Sequence, residues 1–416
     1  MNKTKPFDIS KKLVMQAWKL VKENGGGAGV DQQSIADFET NSKDNLYKIW
    51  NRMSSGTYFP PPVKAVPIPK KSGGERILGV PTVSDRIAQM VVKLMFEPCV
   101  EPHFLPDSYG YRPNKSALDA VGVTRTRCWK YDWVVEFDIK GLFDNIDHDL
   151  LMKAVRKHTD NKMVLLYIER WLKTPMQFPD GFLQEKTRGT MQGGVISPVL
   201  SNLFLHYVFD VWITKQYPNL PWCRYADDGL VHCNTEQEAN QLLRALEKRF
   251  GECLLEIHPE KSKIVYCKDD NRRGDYLNTE FTFLGYDFRR RSAKNMRSNQ
   301  LFMSFGPAVS NAAIKSMRAK TKALMKNIGT YKSLQDVADM ANPILQGWIN
   351  YYGQYHKTGL CPVFRHFNLS VSRWLMRKFK RFKGKRARSN VFLYGMLEKE
   401  PTLFAHWKTG LTGGFA

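Results

Sequence analysis

Three aspartates stand where carboxylates can act together. Asp138 ends the run WVVEFD (133–138), and Asp227 and Asp228 follow one another in RYADDGLVHC (224–233). Carboxylates at strand ends suit divalent cations, because Mg²⁺ takes a few carboxylates plus substrate phosphates in octahedral oxygen ligation. Two such ions, about 3.5–4 Å apart, can activate a hydroxyl and stabilise a leaving pyrophosphate. Alone, Asp-Asp-Gly reads equally well as a hairpin turn, and two acidic strand ends 89 positions apart carry little. Gln192-Gly193-Gly194 precedes a helix beginning at Ser197-Pro198. Glycines admit backbone close to a ligand, and a helix N-terminus favours phosphate; the bland reading is a loop before a capped helix. Lys70 and Arg76 flank Gly73-Gly74 in a strand–turn–strand segment, placed either to grip a triphosphate or to solvate a turn. Phe143, five residues past Asp138, reads by itself as core.

The elements that must hold these residues alternate in kind. PPPVKAVPIPKKSGGERILGVP (60–81) is strand, turn, strand, because proline excludes helix there. TVSDRIAQMVVKLMFEPCVEPHF then predicts a helix capped by Ser84, with Pro98 near its end. Residues 133–139 alternate, Trp133, Val135, Phe137 and Ile139 on one face and Glu136 and Asp138 on the other, which predicts a half-buried strand. Residues 197–212 predict a helix with Ser197 as its N-cap and Pro198 at its first position. RYADDGLVHC predicts two short strands around Asp228-Gly229. KIVYC and FTFLGYDF are further strands, and the chain turns helical after about residue 305. Ser310 caps a helix with one basic stripe, Lys315, Arg318, Lys322 and Lys326; Val371, Trp374, Leu375, Phe379 and Phe382 mark another amphipathic helix. Mixed elements followed by helices alone predict an α+β body and a separate helical domain.

Of the 416 residues, 63 are Lys or Arg and 40 Asp or Glu, a net charge of +23. Residues 289–416 hold 24 basic and 4 acidic side chains, so +20 of that excess falls in the last 128 residues. Charge this lopsided favours a polyanionic partner, nucleic acid before membrane. The aromatics interleaved with Arg377, Lys378, Lys380 and Arg381 are better read as the inner face of a helix than as a stacking platform. Hydrophobic residues at 43% exclude a disordered chain, and no apolar run is long enough for a membrane-spanning helix. The N-terminus lacks the clean apolar core of a secretory signal. Seven cysteines without a Cys-x-x-Cys pair fit neither a zinc ribbon nor a disulfide framework, and suggest a reducing compartment.

Taken in order, these segments resemble the reverse transcriptases encoded by group II introns, the bacterial maturase family, over nearly the whole chain. The blocks are GAGVD (27–31), VPIPK (66–70) through Arg76 and LGVP (78–81), SYGYRP (108–113), FDIKGLFDNIDH (137–148), QGGVISP (192–198), YADD (225–228), HPEKSK (258–263), FTFLGYDF (281–288) and NPILQGWINYYG (342–353). The resemblance implies a right-hand polymerase fold: fingers and palm with antiparallel sheet over residues 1–304, a helical thumb or maturase domain over 305–375, and a basic nucleic-acid-binding region over 376–416. It implies an RNA-directed DNA polymerase that assists splicing of its intron and copies it into DNA during retrohoming. Asp138, Asp227 and Asp228 would hold two Mg²⁺, with Mn²⁺ as a substitute. Lys70, Arg76, Gln192 and Lys261 would surround the incoming deoxynucleoside triphosphate, and Phe143 would be the gate that rejects a 2′-hydroxyl. Phe283, Leu284, Gly285 and Tyr286 would form the primer grip. Lys315, Arg318, Lys322, Lys326, Arg377, Lys378, Lys380 and Arg381 would bind the template–primer duplex, the intron RNA or target DNA. The expected setting is the bacterial cytosol or nucleoid. Met191 departs from the family's usual Pro before Gln-Gly, and no Cys/His-rich nuclease segment precedes Ala416, so another primer than a cleaved second strand is expected. The competing readings are a reverse transcriptase of another retroelement or of host defence, a splicing-only maturase, and an RNA-dependent RNA polymerase, which Phe143 opposes.

Overall fold

The computed structural model describes residues 5–69, 74–294 and 298–415. Lys70 lies outside the described residues. The chain forms two compact units, Met1–Ala120 with Val135–Lys263, and Val121–Val134 with Ile264–Ala416.

In chain order the strands are β1 (Val63–Pro69), β2 (Glu75–Val80), β3 (Trp133–Asp138), β4 (Met176–Gln177), β5 (Leu183–Gln184), β6 (Trp222–Tyr225), β7 (Asp228–Cys233), β8 (Lys263–Tyr266), β9 (Glu280–Phe283), β10 (Tyr286–Lys294) and β11 (Leu301–Val309). They make three sheets, ordered β2-β1-β4-β5, β6-β7-β3-β8 and β11-β10-β9. β1 and β2 pair antiparallel with Ile68 opposite Arg76, and β1 pairs parallel with β4. Beneath them Val63, Ala65, Met176 and Met191 form a small core. Met191, the departure from the family's Pro, is therefore a packing residue of this sheet.

β3 is not half-buried. Trp133, Val134, Val135 and Phe137 are all buried, because the strand is interior to its sheet and is covered on both faces. The hairpin tip between β6 and β7 also differs from expectation. Tyr225 pairs with Asp228, so Ala226-Asp227 is the two-residue turn, and Ala226 takes the left-handed conformation at φ 56°. Gly229 sits within β7 for a packing reason: a Cβ there would fall 2.1 Å from the Phe137 ring. That ring packs with Phe209 and Phe250 at 4.9 and 5.6 Å between centroids.

The helix Val83–Val100 is capped by Thr82, whose side chain accepts from the Asp85 backbone N–H, and it carries Pro98 inside its last turn. Ser84 is thus helical. The expected single helix over 197–212 is Ser197–Leu205, a π-helical turn His206–Asp210 and a short helix Val211–Gln216. Ser197 is its first residue, and Ile196 stands at the cap.

In the second unit β9 and β10 meet at a tight turn, followed by β11 and the helices Asn311–Asn327, Leu334–Tyr352, Cys361–Lys378 and Arg386–Lys399. Ser310 and Ser333 cap the first two through side-chain bonds to backbone N–H groups. One core runs through all of them and includes Met317, Leu345, Phe364, Trp374, Leu393, Phe404 and Trp407. The helix ends at Lys378, with Phe379 extended and Lys380–Phe382 a 3-10 turn, so Phe379 and Phe382 follow the helix rather than extend it. No described helix is long and apolar enough to cross a membrane.

Candidate active site

The end of β3 and the β6–β7 turn bring Asp138, Asp227 and Asp228 into one electrostatic field. Burial, then the carboxylates of Asp227 and Asp138, push Asp228 up to about 7. Burial also raises Asp227, with Asp138 adding repulsion. Asp228 keeps one side open to water, so solvent screens part of this effect. Lys261 Nζ lies 2.5 Å from Asp138 Oδ2, and that hydrogen bond raises the ammonium's pKa. Asp138 is held by its backbone: its N–H donates to Ser262 Oγ at 3.2 Å, and its carbonyl accepts from the His258 N–H at 2.8 Å. Among the described residues, no three acidic, thiol or imidazole side chains already converge as a metal's ligand shell. The donor chemistry nonetheless fits hard divalent cations. Three carboxylates repel one another, and one is paired with a solvent-exposed ammonium that a cation of higher charge can displace.

Arg76, Gln192 and a residue not anticipated from sequence, Asp144, form a chain of side chains. Arg76 Nε donates to Gln192 Oε1 at 2.6 Å, and Gln192 Nε2 donates to Asp144 Oδ2 at 2.9 Å. Half-buried Phe143 lies in the same segment, and its carbonyl accepts from the Thr190 N–H at 2.6 Å. Gly189, at φ +84°, allows this approach, since a Cβ there would come within 2.7 Å of the Phe143 and Asp144 carbonyl oxygens. The loop before Gln192 is thereby clamped to the segment after Asp138. Asp144 lay inside the FDIKGLFDNIDH block, but only the paired loop reveals its role.

The other unanticipated residues are Gly110, Tyr111, Asn202, Asp210 and Arg224. Tyr111 is 53% exposed, and burial together with the charge of Asp227 raises its phenol. Arg224 is fully buried and paired with Asp210 at 2.7 Å. A charged residue inside an otherwise apolar strand was the available signal.

The four residues Phe283, Leu284, Gly285 and Tyr286 form the β9–β10 turn of the second unit, where Leu284 (φ 51°) and Gly285 (φ +80°) are both left-handed. The end of helix Leu334–Tyr352 holds this turn. Tyr351 Oη donates to the Leu284 carbonyl at 2.8 Å, Tyr286 Oη donates to the Tyr351 carbonyl, and Tyr352 Oη lies where a Cβ on Gly285 would be 2.9 Å away.

The basic residues divide in two. Lys315, Arg318, Lys322 and Lys326 are exposed along one helix, and Lys380 and Arg381 are exposed in the 3-10 turn after helix Cys361–Lys378. Lys378 instead donates to the Thr330 and Lys332 carbonyls at 2.8 Å each, and Arg377 to the Met325 carbonyl at 3.2 Å, so both fasten the helix end. Trp374 and Phe382 are buried, in keeping with aromatics as the inner face.

A strand-end carboxylate set and a pinned Gly-rich loop have the donor chemistry that nucleotidyl transfer needs, and the chain belongs to the reverse transcriptase (RNA-dependent DNA polymerase) family, matched over residues 68–288, just over half its length. Residues 314–392 match the group II intron maturase-specific domain. Among curated relatives, the chain is 30% identical over 326 residues to the group II intron-encoded protein LtrA of Lactococcus lactis, covering 62% of this chain and 52% of LtrA. It is 29% identical over 307 residues to protein YkfC of Escherichia coli, covering 64% and 77%. A putative COX1/OXI3 intron 1 protein of Saccharomyces cerevisiae is 30% identical over 268 residues, covering 64% and 31%. The chain thus spans about half the length of LtrA.

Proposed function

We propose that this protein is an RNA-templated DNA polymerase that binds a group II intron RNA, assists its splicing and copies it into DNA during retrohoming. The first unit would supply fingers and palm, and the helices after Ser310 the thumb. The observation that carries this reading is the gathering of Asp138, Asp227 and Asp228 at the end of β3 and the β6–β7 turn, where burial first and neighbouring carboxylates second raise Asp227 and Asp228, in a chain with a maturase-specific domain. Mutual repulsion of this kind has no use in a splicing-only protein and is relieved by a bound cation.

Asp138, Asp227 and Asp228 would hold two Mg²⁺, or Mn²⁺ in substitution, which when bound lower the barrier to attack by the primer 3′-hydroxyl on the α-phosphorus and neutralise the departing pyrophosphate. Lys261 steadies Asp138 and adds positive charge beside the phosphates. Arg76 would contact the triphosphate, as would Lys70 by the family resemblance, and Gln192, fixed between Arg76 and Asp144, would shape the floor beneath it. Phe143 packs against C2′ and leaves no room for an oxygen. The β9–β10 turn would be the primer grip. Lys315, Arg318, Lys322 and Lys326 would track the template–primer duplex, and Lys380 and Arg381 with their basic neighbours the intron RNA or target DNA. A bacterial cytosol or nucleoid fits these partners.

The test is primer extension on an RNA template with Mg²⁺ and deoxynucleoside triphosphates, run beside binding to a group II intron RNA. Extension that disappears in Asp227→Asn while RNA binding persists supports the reading; absence of extension by the unaltered protein overturns it.

A further inference from the structure

Among the described residues, Arg224 is the one charged residue in the set of largest fully buried side chains. It is also saturated. Nε donates to Asp210 Oδ1 at 2.7 Å, and Nη2 to Asp210 Oδ2 at 2.7 Å and Ser108 Oγ at 2.9 Å. Nη1 donates to Asn202 Oδ1 at 3.0 Å and to the Ala226 carbonyl at 3.1 Å. These contacts occupy all five donors of a guanidinium, so none is left for substrate. The last of them reaches the turn residue that precedes Asp227.

A second line converges on the same turn. Asn202 Nδ2 donates to the Gly110 carbonyl at 2.7 Å, and Gly110 packs so tightly that a Cβ would fall 2.5 Å from the Ala226 N atom. The Tyr109 N–H donates to the Arg224 carbonyl at 2.8 Å, and the Arg224 N–H to the Asp107 carbonyl at 3.0 Å. Ala226 itself is left-handed at φ 56°, a conformation a non-glycine residue keeps only where its surroundings over-determine it. The π-helical turn His206–Asp210 ends on the carboxylate that receives the fork.

We infer that Arg224, oriented by Asp210, Asn202 and Ser108, is a positioning residue that holds Ala226 left-handed and thereby aims Asp227 and Asp228 for divalent cation binding. Gly110 is the matching seat against the other side of the turn. This rests on the polymerase reading of the same site. Lysine in place of Arg224 keeps the charge against Asp210 but cannot reproduce the fork, so the Ala226 carbonyl loses its anchor.

The test is Mn²⁺ binding, read by the electron paramagnetic resonance of free Mn²⁺, for the full chain and for Arg224→Lys, Asp227→Asn and Arg224→Lys/Ala226→Gly, with thermal unfolding followed in parallel. Partners that orient metal ligands are typically worth 10- to 100-fold in affinity, so Arg224→Lys should weaken Mn²⁺ roughly tenfold or more. The added Ala226→Gly, which makes the left-handed turn free of strain, should restore part of that loss. A general stability role of Arg224 would give no such rescue. If Arg224→Lys does not fold, Arg224→Met/Asp210→Leu, which removes both buried charges, takes its place and should show the same weakening. A folded variant that binds Mn²⁺ within twofold of the unaltered protein overturns the inference, provided Asp227→Asn has lost binding. Equal binding by Asp227→Asn and the unaltered protein removes the polymerase reading, and this inference with it.

Discussion

At the scale of the residue, catalysis is expected to turn on a few carboxyl oxygens and one aromatic ring. Asp227→Asn keeps the shape but loses a charged ligand, so Mg²⁺-dependent primer extension should fall by orders of magnitude, since metal stabilisation of the transition state is worth several kcal/mol. Intron RNA binding, measured by filter retention, should change little. Phe143→Ala should raise ribonucleotide incorporation relative to deoxyribonucleotide by roughly ten- to a hundredfold in single-turnover insertion, the scale of about 1–3 kcal/mol of relieved overpacking; an unchanged ratio makes Phe143 a core residue. Asp228 gives a pH signature. Its carboxyl is raised to about 7 in the folded protein, chiefly by burial and then by Asp227 and Asp138, against an ordinary value of 3.8. The folded state therefore binds the proton more tightly than the unfolded chain. Its contribution to stability is greatest below about pH 4, falls as pH rises toward 7 and stays low above. In metal-free buffer Asp228→Asn should melt higher than the unaltered protein at pH 7–8, and the gap should close near pH 4. Added Mg²⁺ should raise the melting temperature of the unaltered protein alone.

At the scale of the element, tight turns are set by what packs behind them. In the β9–β10 turn, Gly285 is left-handed and faces Tyr352 Oη. Gly285→Ala would place a Cβ 2.9 Å from that oxygen in a conformation that costs an alanine about 1–2 kcal/mol. A domain of 150–250 residues loses roughly 2–4 °C of melting temperature per kcal/mol, so a fall of several degrees is expected. Gly306→Ala, at a position where nothing lies within 4 Å of the added carbon, is the control and should melt within about a degree of the unaltered protein. Primer utilisation should drop in Gly285→Ala alone; a loss of equal size in both variants would dissociate the Tyr351–Tyr352 contact from primer handling.

At the scale of the whole molecule, charge governs. Residues 289–416 carry +20, and Trp374 and Phe382, which lie among their densest basic cluster, are buried in the helical core. Lys380, Lys383, Lys385 and Arg388 are exposed, whereas Lys378 is bonded to two backbone carbonyls and Arg377, though exposed, to one. Replacing those four exposed residues by Gln should flatten the slope of log K against log salt for single-stranded intron RNA by about 3, at roughly 0.7 per phosphate contact. Nucleotide addition on a saturating template–primer should change little. An unaltered slope places the binding surface elsewhere, on the Lys315–Lys326 stripe first.

The types of the candidate catalytic residues, the order of the blocks and the concentration of positive charge were all legible in the chain, because each is a local or additive property. Strand and helix existence followed from period and proline, and Ser310 as a cap followed from its own hydroxyl. What only tertiary structure decided was which neighbour satisfied each residue. Gly229 looked like a turn glycine and is a packing glycine, because Phe137 arrives from 92 residues earlier in the chain. The tip moved to Ala226-Asp227 because the buried fork of Arg224, anchored by Asp210, and the seat of Gly110 hold the left-handed turn there. Asp144, Asn202 and Arg224 gave no chemical motif of their own, since a buried hydrogen-bond partner is chosen by geometry across 14 to 116 residues of intervening chain rather than by spacing within it.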